Sequence, residues 1–415
     1  MAKHKPETTE FFPESYDGTY QTGAIKEPRG SSGLVALLLV VVIFLGGLCS
    51  VLGIANIRLL AKLAQTPGDT VPMVSQSHMH QADSDSILDR LDAPLPKVPQ
   101  NGSVQLRIME SDYYVPGTEL DTKRIYGQNM QSMVEVQCLT HFNSTESGIG
   151  LVLSADGYIL TNSHVVDAAK RIFVTLHDGT MLRAALVGCD NFSDLALLYV
   201  DRQDLVPATF SDNRNLRVND PTMAVEIGQQ PLTIRTSTIY STNRTLSTRS
   251  GSIRLTQTCA GGTTGPVFDS DGNVIGLQVG AIADYFPTAD IIGTGLVVPT
   301  DKIQQILQQL LSNGYMAGQP SLGLEVEAIT ELYQQYWQLP SGLLLTQVSE
   351  YSSASNLGLA EGDILVALDS IPVKTRSDLY AILYNHRIGD EVIAVVYRET
   401  QKFTVTLTIE DNEIS

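Results

Sequence analysis

Cysteine and tryptophan are scarce in this chain of 415 residues, which contains four cysteines and one tryptophan. So few cysteines exclude a disulfide-dense secreted scaffold, and none of them has the close spacing of a zinc site. Cys49 lies in an apolar segment, which leaves Cys138, Cys189 and Cys259. Burial as small apolar side chains is the simplest interpretation of these three, and a disulfide between two of them stays open for a domain outside the cytosol.

Positive charge is also in short supply. The chain has 27 lysines and arginines against 45 aspartates and glutamates, a formal net charge of −18. Such a chain is a poor partner for nucleic acid or for an anionic lipid surface. Its glycines form no nucleotide-binding fingerprint, so no cofactor is predicted. His78 and His80 could bind a metal, but no further ligands cluster nearby, so we interpret them as solvated and predict no metal site.

Charged residues are absent from residues 30–57, and residues 34–54 are almost wholly apolar. A run of this length can span a bilayer, which takes roughly 20 residues in a helix. It is too long and too far from the N-terminus for a typical cleaved signal peptide. Nearby charges are balanced on its two sides, and Lys3 and Lys5 favour only slightly a cytosolic N-terminus. We therefore predict a single-pass membrane anchor with the remaining domains outside the cytosol.

Short β-like runs begin near residue 103, after a proline-containing segment that resembles a linker. Many short strands at even spacing, with turn residues between them, predict an all-β barrel or sandwich. An amphipathic helix is predicted at 301–311, ending near Gly314. The clearest predicted strands are 133–138, 148–153, 171–176, 183–187, 196–200, 223–227 and 252–256.

A second, smaller domain is predicted after a short hinge at 318–320. Its pattern contains a helix that Ser377 is predicted to cap, followed by a strand pair at 391–397 and 403–409. This mixture of helices and paired strands predicts a compact α+β domain at the C-terminus.

The glycine-rich stretch CAGGTTGP at 259–266 is the strongest sign of catalytic chemistry. Such a loop can direct backbone N–H groups to one point beside a hydroxyl side chain, here that of Thr263. A nucleophile needs a base, and His164 lies in the run GYILTNSHVV at 157–166. Asp194 follows in the run SDLALL at 193–198. The chain order His, Asp, hydroxyl is that of the chymotrypsin-type triad.

These motifs, together with GIG at 148–150, resemble those of the HtrA/DegP family of trypsin-like serine proteases. The resemblance implies a chymotrypsin-like double β-barrel with the active site in the cleft between two six-stranded barrels. It also implies that His164 is the general base, that Asp194 orients it, and that backbone N–H groups of Gly261 and Thr263 form the oxyanion hole. The histidine and aspartate motifs match closely, whereas the third motif departs from the family pattern.

That departure concerns the nucleophile itself, because Thr263 stands where the family has serine and Thr264 where it has glycine. The β-branch of threonine restricts its side-chain torsion, and a threonine that had to adopt positive φ would be strained. We therefore expect a degenerate endopeptidase that is weak or inactive. The alternative is an endopeptidase that is active, or conditionally active, with Thr263 as nucleophile.

The C-terminal segment resembles the PDZ domains of the same family. The run SLGL at 321–324 corresponds to the carboxylate-binding loop, and SNLGLAEGDIL at 355–365 to a characteristic PDZ motif. The resemblance implies that Leu322, Gly323 and Leu324 bind the C-termini of peptides by strand addition. It further implies unfolded or exported polypeptides as substrates or partners, and a possible homotrimer.

The predicted architecture is therefore mostly β and has five parts. These are a cytosolic disordered tail (1–32), a transmembrane helix (33–57), a largely disordered linker (58–118), a trypsin-like protease domain (119–316) and a PDZ domain (317–411).

Overall fold

The computed structural model describes residues 93–412, except 101, 143, 168, 228–231, 260–263, 281, 286–290 and 292. The predicted tail (1–32), the membrane helix (33–57) and the histidines of the linker lie outside these residues. Within the described part, no helix combines the length and the apolar character needed to cross a membrane. The described residues belong to one compact unit.

A closed barrel of six antiparallel strands forms the first half of the larger domain. Its strands are β2 (Met133–Leu139), β3 (Thr145–Val152), β4 (Tyr158–Thr161), β5 (Arg171–Thr175), β6 (Met181–Asp190) and β7 (Leu195–Val200). Alternating side chains of β2, including Val134 and Val136, are buried inside this barrel. At Gly150 a Cβ would lie 2.7 Å from Ile159 Cγ2, so glycine is needed where β3 crosses the barrel interior.

An eight-stranded sheet forms the second half. It contains β1 (Arg107–Met109), β8 (Thr209–Ser211), β9 (Pro221–Ile227), β10 (Leu232–Ser247), β11 (Ser252–Thr258), β12 (Thr264–Phe268), β13 (Val274–Val279) and β14 (Gly295–Pro299). Because β13 pairs with both β12 and β14, six of these strands, β9 to β14, close into a second ring. The double barrel implied by the family resemblance is therefore present.

Four helices accompany the barrels. They are α1 (Thr122–Asn129), α2 (Ser163–Val166), α3 (Ile282–Tyr285) and α4 (Thr300–Asn313). Helix α4 buries Ile303 and Leu310 against the core and ends at Gly314, which has φ of 83°. The predicted helix at 301–311 and its glycine stop are confirmed.

The start of the larger domain corrects the predicted linker boundary. Residues 58–118 were expected to be largely disordered, but β1 lies within them and pairs in parallel with β8. Ser111 Oγ, just after β1, donates a hydrogen bond to Asp269 Oδ2 at 2.5 Å and lies 3.0 Å from Ser211 Oγ. The prediction failed because a three-residue strand with exposed side chains carries no hydrophobic pattern.

The smaller domain has its own apolar core. Its strands are β15 (Pro320–Ser321), β16 (Leu324–Ala328), β17 (Leu343–Val348), β18 (Ile364–Leu368), β19 (Ile371–Pro372), β20 (Glu391–Arg398), β21 (Gln401–Thr408) and β22 (Glu410–Asp411). Its helices are α5 (Glu331–Trp337), α6 (Ser353–Asn356) and α7 (Arg376–Leu383). Strand β16 is the edge of a five-strand path, β16-β17-β18-β20-β21.

The cap of α7 differs from the prediction. Ser377 was expected to cap this helix, but Thr375 does so, and its side chain accepts a hydrogen bond from the Asp378 N–H. The Asp378 carboxylate accepts in return from the backbone N–H of Thr375, completing a capping box. The prediction was off by two residues because threonine and serine are both favourable caps.

Candidate active site

A tight turn at residues 190–194 holds the buried aspartate of the predicted catalytic pair. Asp190 organises this turn by accepting hydrogen bonds from the Phe192 N–H at 3.1 Å and the Ser193 hydroxyl at 2.5 Å. Asp194 then adopts φ of 56° and is fully buried. The left-handed conformation turns its carboxylate away from β7 and towards α2.

The Asp194 carboxylate receives hydrogen bonds from three consecutive residues. The backbone N–H of His164 donates at 3.0 Å, the hydroxyl of Ser163 at 3.2 Å and the side-chain amide of Asn162 at 3.1 Å. A buried carboxylate that accepts this many hydrogen bonds is held at a fixed position. The arrangement therefore orients the imidazole that approaches it.

His164 makes that approach through its Nδ1 atom, which lies 2.7 Å and 2.9 Å from the two carboxylate oxygens of Asp194. The Nδ1 position, held by the carboxylate, leaves Nε2 as the nitrogen that can exchange a proton with a nucleophile. The side chain of His164 is 34% exposed, so it is accessible from the cleft. Sequence placed these two residues together, and the structure brings them into contact.

The pKa of His164 is raised above its ordinary value. Burial acts in the opposite direction, because it disfavours the imidazolium, but the charge and hydrogen bond of Asp194 outweigh it. The carboxylate of Glu146, on β3, adds to the increase. This electrostatic environment favours the protonated imidazole that would form when a base accepts a proton from a hydroxyl.

Asn162 joins the pair to the second barrel. Its side-chain nitrogen donates to the backbone oxygen of Gln278 on β13 at 2.9 Å, as well as to Asp194. Asn162 and Ser163 were not predicted as site residues. Their position directly before the histidine was the available signal.

The predicted nucleophile Thr263 and the oxyanion residue Gly261 lie outside the described residues. Thr264 is described and begins β12, where it pairs with Val279. The positive φ of this segment, 114°, belongs to Gly265, and a Cβ there would lie 2.1 Å from the Val225 carbonyl oxygen. The strain expected at Thr264 is therefore wrong, because the strand begins there and the left-handed residue is the next glycine.

The smaller domain contacts the helix that carries His164. Arg376, at the start of α7, donates to the backbone oxygen of His164 at 3.3 Å and also to that of Asp167. Its guanidinium lies 3.6 Å from the Asp167 carboxylate and 3.7 Å from that of Glu146. One arginine of the smaller domain thus binds the backbone of the helix that carries His164.

Tyrosines strengthen the same contact. The Tyr380 hydroxyl donates to Asp167 Oδ2 at 3.1 Å and accepts from the side-chain nitrogen of Asn191 at 2.5 Å. The rings of Tyr380 and Tyr384 stack 5.8 Å apart, and Tyr285 of α3 packs edge-on against both. Helix α7 therefore connects α2 with α3.

The predicted peptide-binding residues lie at one end of β16. Leu322 is buried, Gly323 has φ of 65°, and Leu324 begins the strand. The Gly323 N–H donates to the Ser321 hydroxyl at 3.0 Å. This contact would have to open before that N–H could bind a peptide carboxylate. Leu324 faces a cavity that Leu379 and Leu383 of α7 also line.

No group of three or more potential metal ligands occurs among the described residues. Cys138, Cys189 and Cys259 are unpaired thiols. Burial raises the pKa of Cys138 to about 12, so this thiol stays protonated and unreactive at neutral pH.

Comparison with known proteins identifies both domains. Residues 148–277 match the trypsin-like peptidase domain, and residues 320–409 match the PDZ domain. The serine protease Do-like HtrA of Bacillus subtilis (strain 168) is 30% identical over 292 residues, which cover 64% of this chain and 64% of that protein. The chain thus spans somewhat less than two thirds of the length of that relative.

Two further proteins are similar to this chain. A probable periplasmic serine endoprotease DegP-like of Halomonas elongata is 28% identical over 354 residues, covering 82% of this chain and 73% of that protein. The solved structure of an HtrA-type protease AlgW with tripeptide covers 71% of this chain and 98% of its own, with 23% identity and a TM-score of 0.41.

Proposed function

We propose that this chain, a trypsin-like peptidase domain followed by a PDZ domain with HtrA and DegP proteases among its homologues, is a membrane-anchored peptide-binding protein with a degenerate catalytic centre. It binds unfolded or exported polypeptides and hydrolyses them slowly or not at all. The observation that carries this proposal is a threonine at sequence position 263 in a chain whose His164 and Asp194 side chains are in hydrogen-bond contact.

The physical reason lies in the extra methyl group of Thr263. In a triad the hydroxyl must face the base while leaving room for the incoming carbonyl carbon. A threonine has a branched Cβ and few side-chain rotamers, so placing its hydroxyl towards His164 also fixes where the methyl goes. A displacement of about 1 Å can cost around 10²-fold in rate.

A second candidate function has its own support. The hydrogen bonds around Asp194 are those that an acting base requires, and Thr264 lies in an ordinary strand. Under this alternative His164 takes the proton of the Thr263 hydroxyl, Asp194 stabilises the imidazolium, and the Gly261 and Thr263 N–H groups bind the oxyanion.

The remaining parts of the proposal concern place and partners. Residues 34–54 would anchor the chain once in the membrane, with the N-terminus in the cytosol and both folded domains outside. The PDZ domain would bind C-terminal peptides along the edge strand β16. A homotrimeric assembly follows from the family resemblance alone.

The deciding experiment compares the full-length chain in detergent micelles with three variants on an unfolded model protein. These variants are Thr263→Ser, Thr263→Ala and His164→Ala. We expect the wild-type rate to equal that of His164→Ala, and Thr263→Ser to exceed both by at least about 10²-fold. If wild type instead cleaves well above His164→Ala, and Thr263→Ala removes that cleavage, threonine is the nucleophile and the second candidate is correct.

A further inference from the structure

A cavity of about 220 Å³ lies between the smaller domain and the first barrel. One wall is the groove between β16 and α7. The opposite wall comes from α2, the segment after it, β6 and the turn at 190–194. The apolar lining residues are Val166, Ala169, Leu186, Leu324, Val326, Leu379 and Leu383. A peptide bound to the edge of β16 could therefore place a side chain against both domains.

Two hydrogen-bond acceptors in this cavity have no partner. The side-chain oxygens of Asn191 and Gln319 are both buried from solvent, and neither accepts a hydrogen bond. The amide nitrogen of Asn191 is already engaged by Tyr380, which leaves its oxygen free to accept. Buried acceptors are costly when unpaired, so the two oxygens favour a ligand that brings N–H donors.

The charged groups around the cavity are mainly negative. Three carboxylates line it or face it, those of Asp167, Asp190 and Glu325. Arg376 compensates Asp167, and this arginine is shared with Glu146. Asp190 accepts hydrogen bonds from neutral donors alone, namely the Phe192 N–H and the Ser193 hydroxyl.

One imidazole also lines the cavity, that of His141. Its Nδ1 atom lies 3.1 Å from the Glu327 carboxylate, so any positive charge on it is compensated there. The same carboxylates act on the thiol of Cys189. Burial raises the pKa of this thiol most, and the negative charges of Asp167, Asp190 and Glu325 raise it further. The cavity as a whole therefore carries uncompensated negative charge.

We propose that this cavity accepts the positively charged side chain, lysine or arginine, of a peptide bound in the groove. The aliphatic stem would lie against Leu324 and Leu379, and the charged end would donate to Asn191 and Gln319 near Asp190. This inference rests on the proposed peptide binding by the PDZ domain. It adds a requirement on the ligand, namely a basic residue whose charged end contacts Asn191 and lies near Asp190 of the peptidase domain.

The test uses the full-length chain in detergent micelles and N-terminally fluorescein-labelled peptides with a free C-terminal carboxylate. Lysine is placed at each of the last four positions in turn, and each peptide is matched by one with norleucine, which has the same four-carbon stem without the ammonium group. Fluorescence anisotropy gives Kd. We expect one position at which lysine binds at least about tenfold more tightly than norleucine.

Two variants locate the effect, Glu325→Gln and Gln319→Leu. Each is expected to reduce the preference for lysine over norleucine at least about threefold, taken as the ratio of the two Kd values measured on that variant. Circular dichroism shows that each variant is folded. Glu361→Gln, which removes an exposed carboxylate outside the cavity lining, serves as the matched control and should keep the full preference.

Each outcome separates the inference from the function on which it rests. Binding of all peptides with equal affinity for lysine and norleucine overturns the inference and leaves C-terminal peptide binding intact. A preference for lysine that survives in both variants overturns the assignment to this cavity. Absence of binding by every peptide overturns both the inference and the proposed peptide binding.

Discussion

The turn at residues 190–194 carries two buried hydrogen-bond acceptors, the carboxylate of Asp194 and the side-chain oxygen of Asn191, which differ in the number of donors around them. At its end, the Asp194 carboxylate has four donors, from His164 Nδ1, the His164 N–H, Ser163 and Asn162. Three residues earlier, the side-chain oxygen of Asn191 is equally buried and has none. Both positions belong to one turn, in which the carboxylate of Asp190 accepts hydrogen bonds from the Phe192 N–H and the Ser193 hydroxyl.

The two sites differ in how their hydrogen-bond acceptors are paired. The carboxylate of Asp194 is paired with donors of the chain itself, whereas the cavity contains side-chain oxygens without a donor. The hydrogen bonds of Asp194 fix the position of its carboxylate before any substrate arrives, which is what a base-orienting residue needs. The acceptors of Asn191 and Gln319 have no such partners within the described residues. The contact between His164 and Asp194 is therefore formed within the chain even though position 263 is a threonine.

The largest expected effect tests the catalytic half of this comparison. In the Thr263→Ser background, Asp194→Ala should lower kcat about 10⁴-fold, because the imidazole loses the group that sets its tautomer and stabilises its charge. The measurement is hydrolysis of an unfolded model protein by the full-length chain.

Ser163→Ala in the same background is the matched control. It removes one of the four donors to Asp194 and should cost far less, about tenfold or under. Equal losses for the two variants would mean that the carboxylate acts only as a structural element of the turn.

Much of the fold could be predicted because its patterns are local. The alternation of β2 and the apolar face of α4 identified those elements, and the motifs around His164 and Asp194 predicted two residues that lie in contact. Helix α5 was missed because it is only seven residues long, although Leu332, Tyr333, Tyr336 and Trp337 fall on one of its faces. That face stays exposed at Leu332, Tyr336 and Trp337, so burial does not mark it either.

The contacts between the domains could not be predicted in the same way. Arg376 reaches the backbone of Asp167 across 209 positions of sequence, and the signal at position 376 is only one arginine near a helix start. Likewise, nothing in the run at 190–194 shows that Asn191 would face the groove. Contacts of this kind depend on how the two folded domains pack.

The second prediction concerns the contribution of the Arg376 contact with Asp167 to the free energy of unfolding. Arg376→Ala should destabilise the described unit by about 1–3 kcal/mol, because Asp167 would keep a partly buried carboxylate without its cation. Chemical denaturation of the full-length chain measures the change.

Arg387→Ala provides the control for Arg376→Ala. Arg387 is an exposed arginine of the same domain, and its side chain is expected to contribute within about 0.5 kcal/mol. A loss for Arg376→Ala no greater than this would show that the arginine contact with α2 contributes nothing to stability.

The third prediction concerns how the preference of the cavity for a lysine peptide depends on pH. Burial raises the pKa of Asp190 to about 6, so its charge is present at pH 8 and absent at pH 5. The other titratable groups around it are Asp194 on the same turn, Cys189 on β6, Asp167 beyond α2 and Tyr384 after α7, together with His141 and Glu325 elsewhere in the cavity lining.

Because a negative charge attracts the ligand, the preference for a lysine peptide should fall as pH is lowered through about 6. The expected decrease is about tenfold or less in Kd ratio, measured by anisotropy at pH 8, 7, 6 and 5. The norleucine peptide gives the baseline at each pH. A preference that is constant from pH 8 to pH 5 would contradict a role for Asp190.

The smallest effect is expected for a substitution of Glu146. The carboxylate of this residue acts on the pKa of His164 and lies 3.7 Å from the guanidinium of Arg376. Its negative charge raises the pKa of His164, whereas the charge of Arg376 lowers it. Glu146→Gln removes the first influence and leaves Arg376 less compensated, so both consequences lower the pKa of His164.

Since His164 must be neutral to act as base, the acidic limb of kcat/KM in the Thr263→Ser background should move to lower pH, with the plateau unchanged. Glu361→Gln, which removes an exposed carboxylate, should leave the limb in place. A limb that moves to higher pH in Glu146→Gln would show that another group, and not His164, limits the rate on the acidic side.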